Sequence, residues 1–243
     1  MNISSRQIII FAFLLFSKLI NAQSIEIICK SDFISTSTDN DFSFIERTLD
    51  TTSLHFIARI KAIGKDNDTN IETLYKAIKD ASHKLGANCF KFDDYKRQDS
   101  LNISMLVLDV YLGSDSLLNL NFLKHEKNVV YIFGSEKKSN KIYTFKLNNK
   151  KQIIKSGSFY KYQNKVGQEV KINKGGLFGA TLWIKWRENK AATFLTLTGL
   201  GLSGATIQPP KYGTIGLTIN TGRIYYLDGN LGHLLVLLLK QST

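Results

Sequence analysis

Two prolines in 243 residues leave this chain few rigid linkers, and two cysteines allow one disulfide at most. No apolar run approaches the ~20 residues that a membrane-spanning helix needs. Apart from the N-terminus the longest, Leu234 to Leu239, reads as a buried strand or helix edge. Histidine is sparse, and His55, His83, His125 and His233 stand far apart. None has a second histidine, a cysteine or a carboxylate at metal-ligand spacing. Acidic residues thin out after residue 122, leaving Glu126, Glu136, Glu169, Glu188 and Asp228. That shortage argues against a two-carboxylate glycosidase in the second half.

What is present starts at the N-terminus. Arg6 precedes an apolar stretch from Ile8 to Phe16, Lys18 interrupts it, and Ile20-Asn21-Ala22 places a small residue before Gln23. This is the layout of a signal peptide cleaved between Ala22 and Gln23, so residues 1–22 are expected to be removed on export. Cys29 follows Glu26-Ile27-Ile28, and a carboxylate at that place argues against lipidation. The expected setting is periplasmic or extracellular, peripheral to the outer membrane, with no transmembrane segment in the mature chain. In such an oxidising compartment Cys29 and Cys89 form a possible disulfide, with two buried free thiols as the alternative.

Hydrophobic content of 43% and aromatic content of 11% are globular values, enough for a packed core. Charge divides the chain. Residues 23–122 carry 11 Lys+Arg against 15 Asp+Glu, whereas residues 123–243 carry 19 against 5. The step predicts an N-terminal domain at 23–122 and a C-terminal domain at 123–243, joined near Asn119 to Asn128.

In the first half, Ser53 to Ile63 alternates as a strand. Thr69 and Glu72 stand at capping-box spacing. Ile71, Leu74, Tyr75, Ile78, Ala81 and Leu85 then recur at helical period, with Gly86 as the stop. Strands at Cys89, Phe90 and Phe92 and at Leu101 to Leu112 complete a strand–helix–strand–strand domain. The second half shows short β-rich runs at Asn128–Phe133, Lys141–Leu147, Gln152–Ile154, Val166–Ile172, Thr181–Trp186, Thr193–Thr198, Thr214–Ile219 and Arg223–Leu227. Turn signals such as Asn148-Asn149 and Asp228-Gly229-Asn230 separate them. The expected class is α+β, with a mostly antiparallel β-sandwich second.

The segment ETLYKAIKDASHKLGANCFKF resembles a strand–helix–strand module, ending in Leu-Gly-Ala-Asn, of small bacterial envelope proteins and lipoproteins. The second half, with VVYIFGS, FKLNNKKQIIKSGSFYKYQNKVGQEVKI and INTGRIYYL, is similar to a bacterial β-sandwich domain of unknown function. Together they resemble exported envelope proteins of the Bacteroidota kind. The resemblance implies a fold and an envelope setting, and no catalytic residue comes with it.

Candidate chemistry is thin. Gly199-Leu200-Gly201-Leu202-Ser203-Gly204 matches a dinucleotide fingerprint, but Pro209 and Pro210 forbid the helix that must follow, so it reads as a Gly-rich loop and no cofactor is expected. Ser203 lacks the G-x-S-x-G frame, and Cys89 beside Phe90 and Phe92 reads as packing or disulfide. Asp66-x-Asp68 and Asp93-Asp94 lack the ladder of a calcium loop. No catalytic, cofactor or metal set emerges.

What remains is a basic field. Lys137, Lys138, Lys141, Lys150, Lys151, Lys155, Lys161, Lys165, Lys171 and Lys174 are interleaved with Tyr143, Phe145, Phe159, Tyr160 and Tyr162. In an exported protein this pattern points to anionic envelope partners (lipid headgroups, lipopolysaccharide, acidic glycans) or an envelope protein, and not to nucleic acid. Its alternative is a merely solvated lysine surface. Trp183 and Trp186, three apart across a strand, point to opposite faces, so at least one is expected in the core and the other is a candidate ligand platform. The expected role is non-enzymatic binding or structure. The alternatives are a hydrolase assembled only in the fold and a secreted protein-binding factor. N-terminal sequencing of protein recovered from its host is expected to start at Gln23. Cytoplasmic recovery with Met1 retained overturns the export reading.

Overall fold

The computed structural model describes residues 23–33, 41–137, 139–175, 179–198 and 224–242. The signal-peptide reading, Lys138, the Gly199–Gly204 loop and the Thr214–Ile219 strand lie outside the described residues. The class is α+β, and the described residues form three sheets and three α-helices.

The first sheet holds β1 (Gln23–Lys30), β2 (Ser43–Phe44), β3 (His55–Lys65), β4 (Cys89–Gln98) and β5 (Ile103–Leu112), in the order β1-β3-β5-β4-β2. Only β2 runs parallel to its neighbour, β4. A register shift between Phe56 and Ala58 resets the alternation of β3, so that Ile57, Ala58, Ile60 and Ala62 are all buried. Helix α1 (Ile71–Lys84) lays Ile71, Leu74, Tyr75 and Ile78 against that face. Its N-cap is Asn70, one residue past the expected Thr69. The Asn70 side chain accepts from the Thr73 N–H at 2.8 Å, while the Thr69 hydroxyl donates to the Asp66 carbonyl. Gly86, at φ 78°, ends the helix as its sequence position predicts.

Helix α2 (Asp115–Lys124) occupies the expected joint. Its apolar residues circle the axis instead of forming a stripe, and Leu120 and Leu123 stay 56% and 67% exposed. The charge step at residue 122 therefore falls inside a helix.

The second sheet contains β6 (Val129–Phe133), β9 (Ser158–Gln163), β12 (Thr193–Thr196), β13 (Tyr225–Tyr226) and β14 (Lys240–Gln241), ordered β13-β12-β6-β9-β14. It is mixed, because β12 runs parallel to β6 and β14 parallel to β9. The third sheet, β7 (Ile142–Leu147), β8 (Lys150–Lys155), β10 (Glu169–Lys174) and β11 (Ala180–Lys185), is antiparallel with the order β11-β10-β7-β8. Asn148 and Asn149, at φ 47° and 66°, make the two-residue turn between β7 and β8; asparagine tolerates this left-handed region better than other side chains.

Helix α3 (Gly229–Leu238) stands where the sequence suggested a turn and a strand or helix edge. Asp228 caps it, accepting from the Asn230 and Leu231 N–H groups at 3.0 Å each. Leu231, Leu234 and Leu235 enter the same buried cluster as Ile60, Leu106, Phe90, Tyr131 and Phe133. A second cluster joins Val130, Ile132 and Leu195 of the second sheet to Tyr143, Phe145, Ile154 and Ile172 of the third.

Gly232 of α3 lies against Phe194 of the second sheet. An added Cβ would lie 2.2 Å from the Phe194 ring. Gly232→Ala is expected to lower stability by about 1–3 kcal/mol, the range for overpacking a core, measured by urea unfolding. An unchanged midpoint would show that the helix shifts without strain.

Candidate functional site

Strand alternation sorts the lysines. In the third sheet Tyr143, Phe145, Ile154, Val170, Ile172 and Ile184 point inward and are buried. Their neighbours face out, and the register aligns Ile142 with Lys155, Thr144 with Ile153, Lys146 with Lys151, and Lys171 with Trp183. The outer face thus presents Lys146, Lys151, Lys155, Lys171 and Lys185 against one carboxylate, Glu169, which lies 4.0 Å from Lys185. Ile142, Ile153 and Trp183 protrude among them, 56%, 52% and 55% exposed. The Lys171 ammonium is 6.0 Å from the Trp183 ring centroid.

Of the lysines singled out by sequence, Lys151, Lys155 and Lys171 belong to this face, and Lys146 and Lys185 complete it. The others scatter. Lys137, Lys150 and Lys165 are exposed away from it, and Lys141 sits over Tyr143, a ring of the inner side. Lys174 donates to the Leu197 carbonyl. Lys161 projects from the opposite side of β9 and pairs with Glu126 at 2.5 Å. Trp186 is half-buried beyond the end of β11.

The cysteines do not pair. Cys29, exposed on β1, and Cys89, buried on β4, are separated by β3 and β5, so both are free thiols. Three strand spacings put roughly 14 Å between them, about twice the Cα separation a disulfide spans. Burial pushes the Cys89 thiol up to about 12, which also removes it as a nucleophile.

Sequence spacing held the four histidines apart, and the fold brings two together. His125 follows the C-terminus of α2, and His233 lies in α3. Their ring centroids are 4.1 Å apart. Glu46, just past β2, places Oε1 3.8 Å from His125 Nε2. One ligand atom from each of the three residues lies within 4.8 Å of the others. Asn121 fastens the group. Its oxygen accepts from the Glu46 N–H at 2.9 Å, its amide donates to the Phe44 carbonyl at 2.7 Å, and the same nitrogen lies 3.3 Å from His125 Nε2. His233 stacks on Phe44 with rings 5.4 Å apart and meets Phe194 edge-on. Burial, aided by Lys127, lowers His125 to about 4. Burial, His125 and Lys127 lower His233 to about 3. Burial, then Glu126, raises the Glu46 carboxyl. Both imidazoles are therefore neutral at pH 7. By contrast His55 stacks on Phe33, and His83 meets the edge of Phe42.

A third polar group lies at the start of α1. Glu136, from the loop after β6, accepts from the Ile71 N–H at 2.8 Å through one oxygen. Its other oxygen accepts from Arg97 at 3.1 Å. A carboxylate 65 residues downstream in sequence thus satisfies an N-terminal donor of the helix. Beside it, Glu72 Oε2 is buried without a hydrogen-bond partner. Burial, Glu136 and Asp228 raise Glu72 to about 7, with Lys76 opposing.

No family model and no curated protein matches the chain. Among solved structures, the Francisella virulence factor FvfA aligns with 38% of this chain and 99% of its own, at 11% identity and a TM-score of 0.30.

Glu72 gives the site a pH signature. Its folded value of about 7 lies above the ordinary 4.5. The folded state therefore holds the proton more tightly, and the stability this adds is complete below pH 4.5 and lost as pH rises through about 7. Glu72→Gln, permanently neutral, is expected to match the native protein near pH 4.5. At pH 8 it should be more stable by about 1–2 kcal/mol, after discounting for the side chain's partial exposure. Equal melting curves at both pH values would refute this.

Proposed function

We propose that this is an exported, envelope-associated, non-enzymatic protein that docks on an anionic lipid surface through the outer face of its third sheet. The observation that carries the proposal is the face itself, with five lysines against a single carboxylate and Ile142, Ile153 and Trp183 raised between them. Lysines near a negatively charged leaflet contribute about 1 kcal/mol each, and tryptophan favours the headgroup level of a bilayer. A cationic face without protruding apolar groups would suit a soluble polyanion equally; the exposed isoleucines and tryptophan favour a lipid interface. Export rests on residues 1–22 acting as a signal peptide. No helix among the described residues is long and apolar enough to cross a membrane, which is compatible with peripheral attachment.

The second and third sheets are read as a sandwich enclosing Val130, Ile132, Phe145 and Ile172. In that arrangement the lysine face is its outer wall, backed by a packed layer. A strand framework spares the backbone's ordering cost on binding, and the lysine side chains alone have rotamer freedom to lose.

Vesicle co-sedimentation tests the reading. The full chain is expected to bind phosphatidylglycerol-containing vesicles at low salt, release them at high salt, and ignore phosphatidylcholine vesicles. Lys146→Gln with Lys151→Gln and Lys155→Gln should weaken binding roughly a hundredfold, at about 1 kcal/mol per cation. Trp183 fluorescence should shift to the blue on binding. Salt-insensitive binding, or an unaffected triple variant, overturns the proposal.

A further inference from the structure

The convergence of Glu46, His125 and His233 is not used by the lipid-docking face, and it has the composition of a metal centre. We propose that these three residues bind a divalent transition-metal ion of the zinc class as a two-histidine, one-carboxylate site with an open coordination position.

Three features support this. The donor set is the one that borderline metals select, two imidazoles and a carboxylate from three separate elements. The donor atoms lie within 4.8 Å of one another. An occupied site, with ligands at about 2.0–2.1 Å from the ion, needs them near 3.4 Å, so side-chain motion of roughly 1 Å closes it. Finally, the supporting contacts are already made. Asn121 holds the Glu46 backbone, and Phe44 and Phe194 fix the plane of His233, while the Asn121 amide, 3.3 Å from His125 Nε2, has to yield to an ion bound at that nitrogen. Groups that orient metal ligands in this way contribute substantially to affinity.

The charged groups around the site pull in both directions. Glu126 adds negative charge near Glu46, which favours a cation. Lys127 adds positive charge near both histidines, which opposes one. Lys127 is directed to the Phe122 carbonyl and lies over the Phe122 ring at 3.3 Å, so its ammonium is held by contacts outside the donor set. Access runs past Glu46, whose side chain is 30% exposed, whereas that of His125 is 10% exposed.

The ion would tie three distant parts of the chain: the segment after β2, the end of α2, and α3. Its binding is therefore linked to folding, and it should stabilise the native state by mass action.

Cobalt(II) is the probe, because its visible absorption reports coordination directly. Chelator-treated full chain is expected to bind one equivalent with a saturable d–d band, and zinc should displace it. Glu46→Gln and His125→Gln should each weaken binding roughly tenfold or more. His55→Gln and His83→Gln should bind as the native protein does, and Lys127→Gln should bind more tightly. Zinc should raise the melting temperature of the native chain and leave that of Glu46→Gln unchanged. Glu46 is partly exposed, so this variant is expected to fold even if His125→Gln does not; circular dichroism checks both. No saturable band in the native chain, or a band indifferent to Glu46→Gln, overturns the inference. Neither result bears on vesicle binding, which uses other residues.

Discussion

Strand β6 belongs to two cores at once, and the rest of the molecule is arranged around that constraint. All five of its residues are buried. Val129, Tyr131 and Phe133 join the cluster formed by α1, α3 and the first sheet, while Val130 and Ile132 face the third sheet. Each such side chain contributes about 1.5–3 kcal/mol through burial. Because strand side chains alternate, a slip of one residue would exchange the two sets and spoil both cores. β9 on one side and β12 on the other hold the register. A rigidly placed β6 positions His125 just ahead of it and the lysine sheet behind it.

The elements legible in the sequence were those whose local pattern and tertiary burial agree. Helix α1 shows an apolar stripe, and its Gly86 stop is where backbone geometry needs it. Strands β3, β4, β5, β6, β7 and β10 lie within a few residues of their expected runs. Helix α2 was hidden because Leu117, Leu118, Leu120, Phe122 and Leu123 give it no single face. Helix α3 was hidden because two glycines weaken the helical pattern, and one of them, Gly232, is there to let Phe194 come close. Strand β9, inside the second sheet, has no counterpart among the expected runs. Three of the five lysines of the face, Lys151, Lys155 and Lys171, could be picked out from the sequence. Which lysines share a surface required the register, and the histidine pair required α3 to return from 108 residues away (233 minus 125).

The two outer walls show how one composition can serve opposite ends. On the first sheet charges are paired: Arg59 meets Asp109 at 2.6 Å and Asp93 at 3.1 Å, and Lys61 meets Glu26. Such a wall presents little net field. On the third sheet four of the five lysines have no acid opposite them in the strand register, and the repulsion among them is tolerated because water screens it. The charge step read along the chain thus becomes a difference between two surfaces of one body. Inside that body, the neutral histidines and the raised carboxyl of Glu46 show how far burial has shifted ordinary ionisation.

Asn230, at the start of α3, accepts from the Phe44 N–H across 186 residues, and the leucines of the same helix complete the cluster begun by β3 and β5. Closure of contacts this distant is slow relative to local pairing. In a nascent chain α1 can cover its share of the first sheet early, but the part of the cluster closed by Leu231, Leu234 and Leu235 stays open until nearly all of the chain has been synthesised. Such an intermediate is a natural client for holding chaperones, because its unclosed apolar surface is open to other chains.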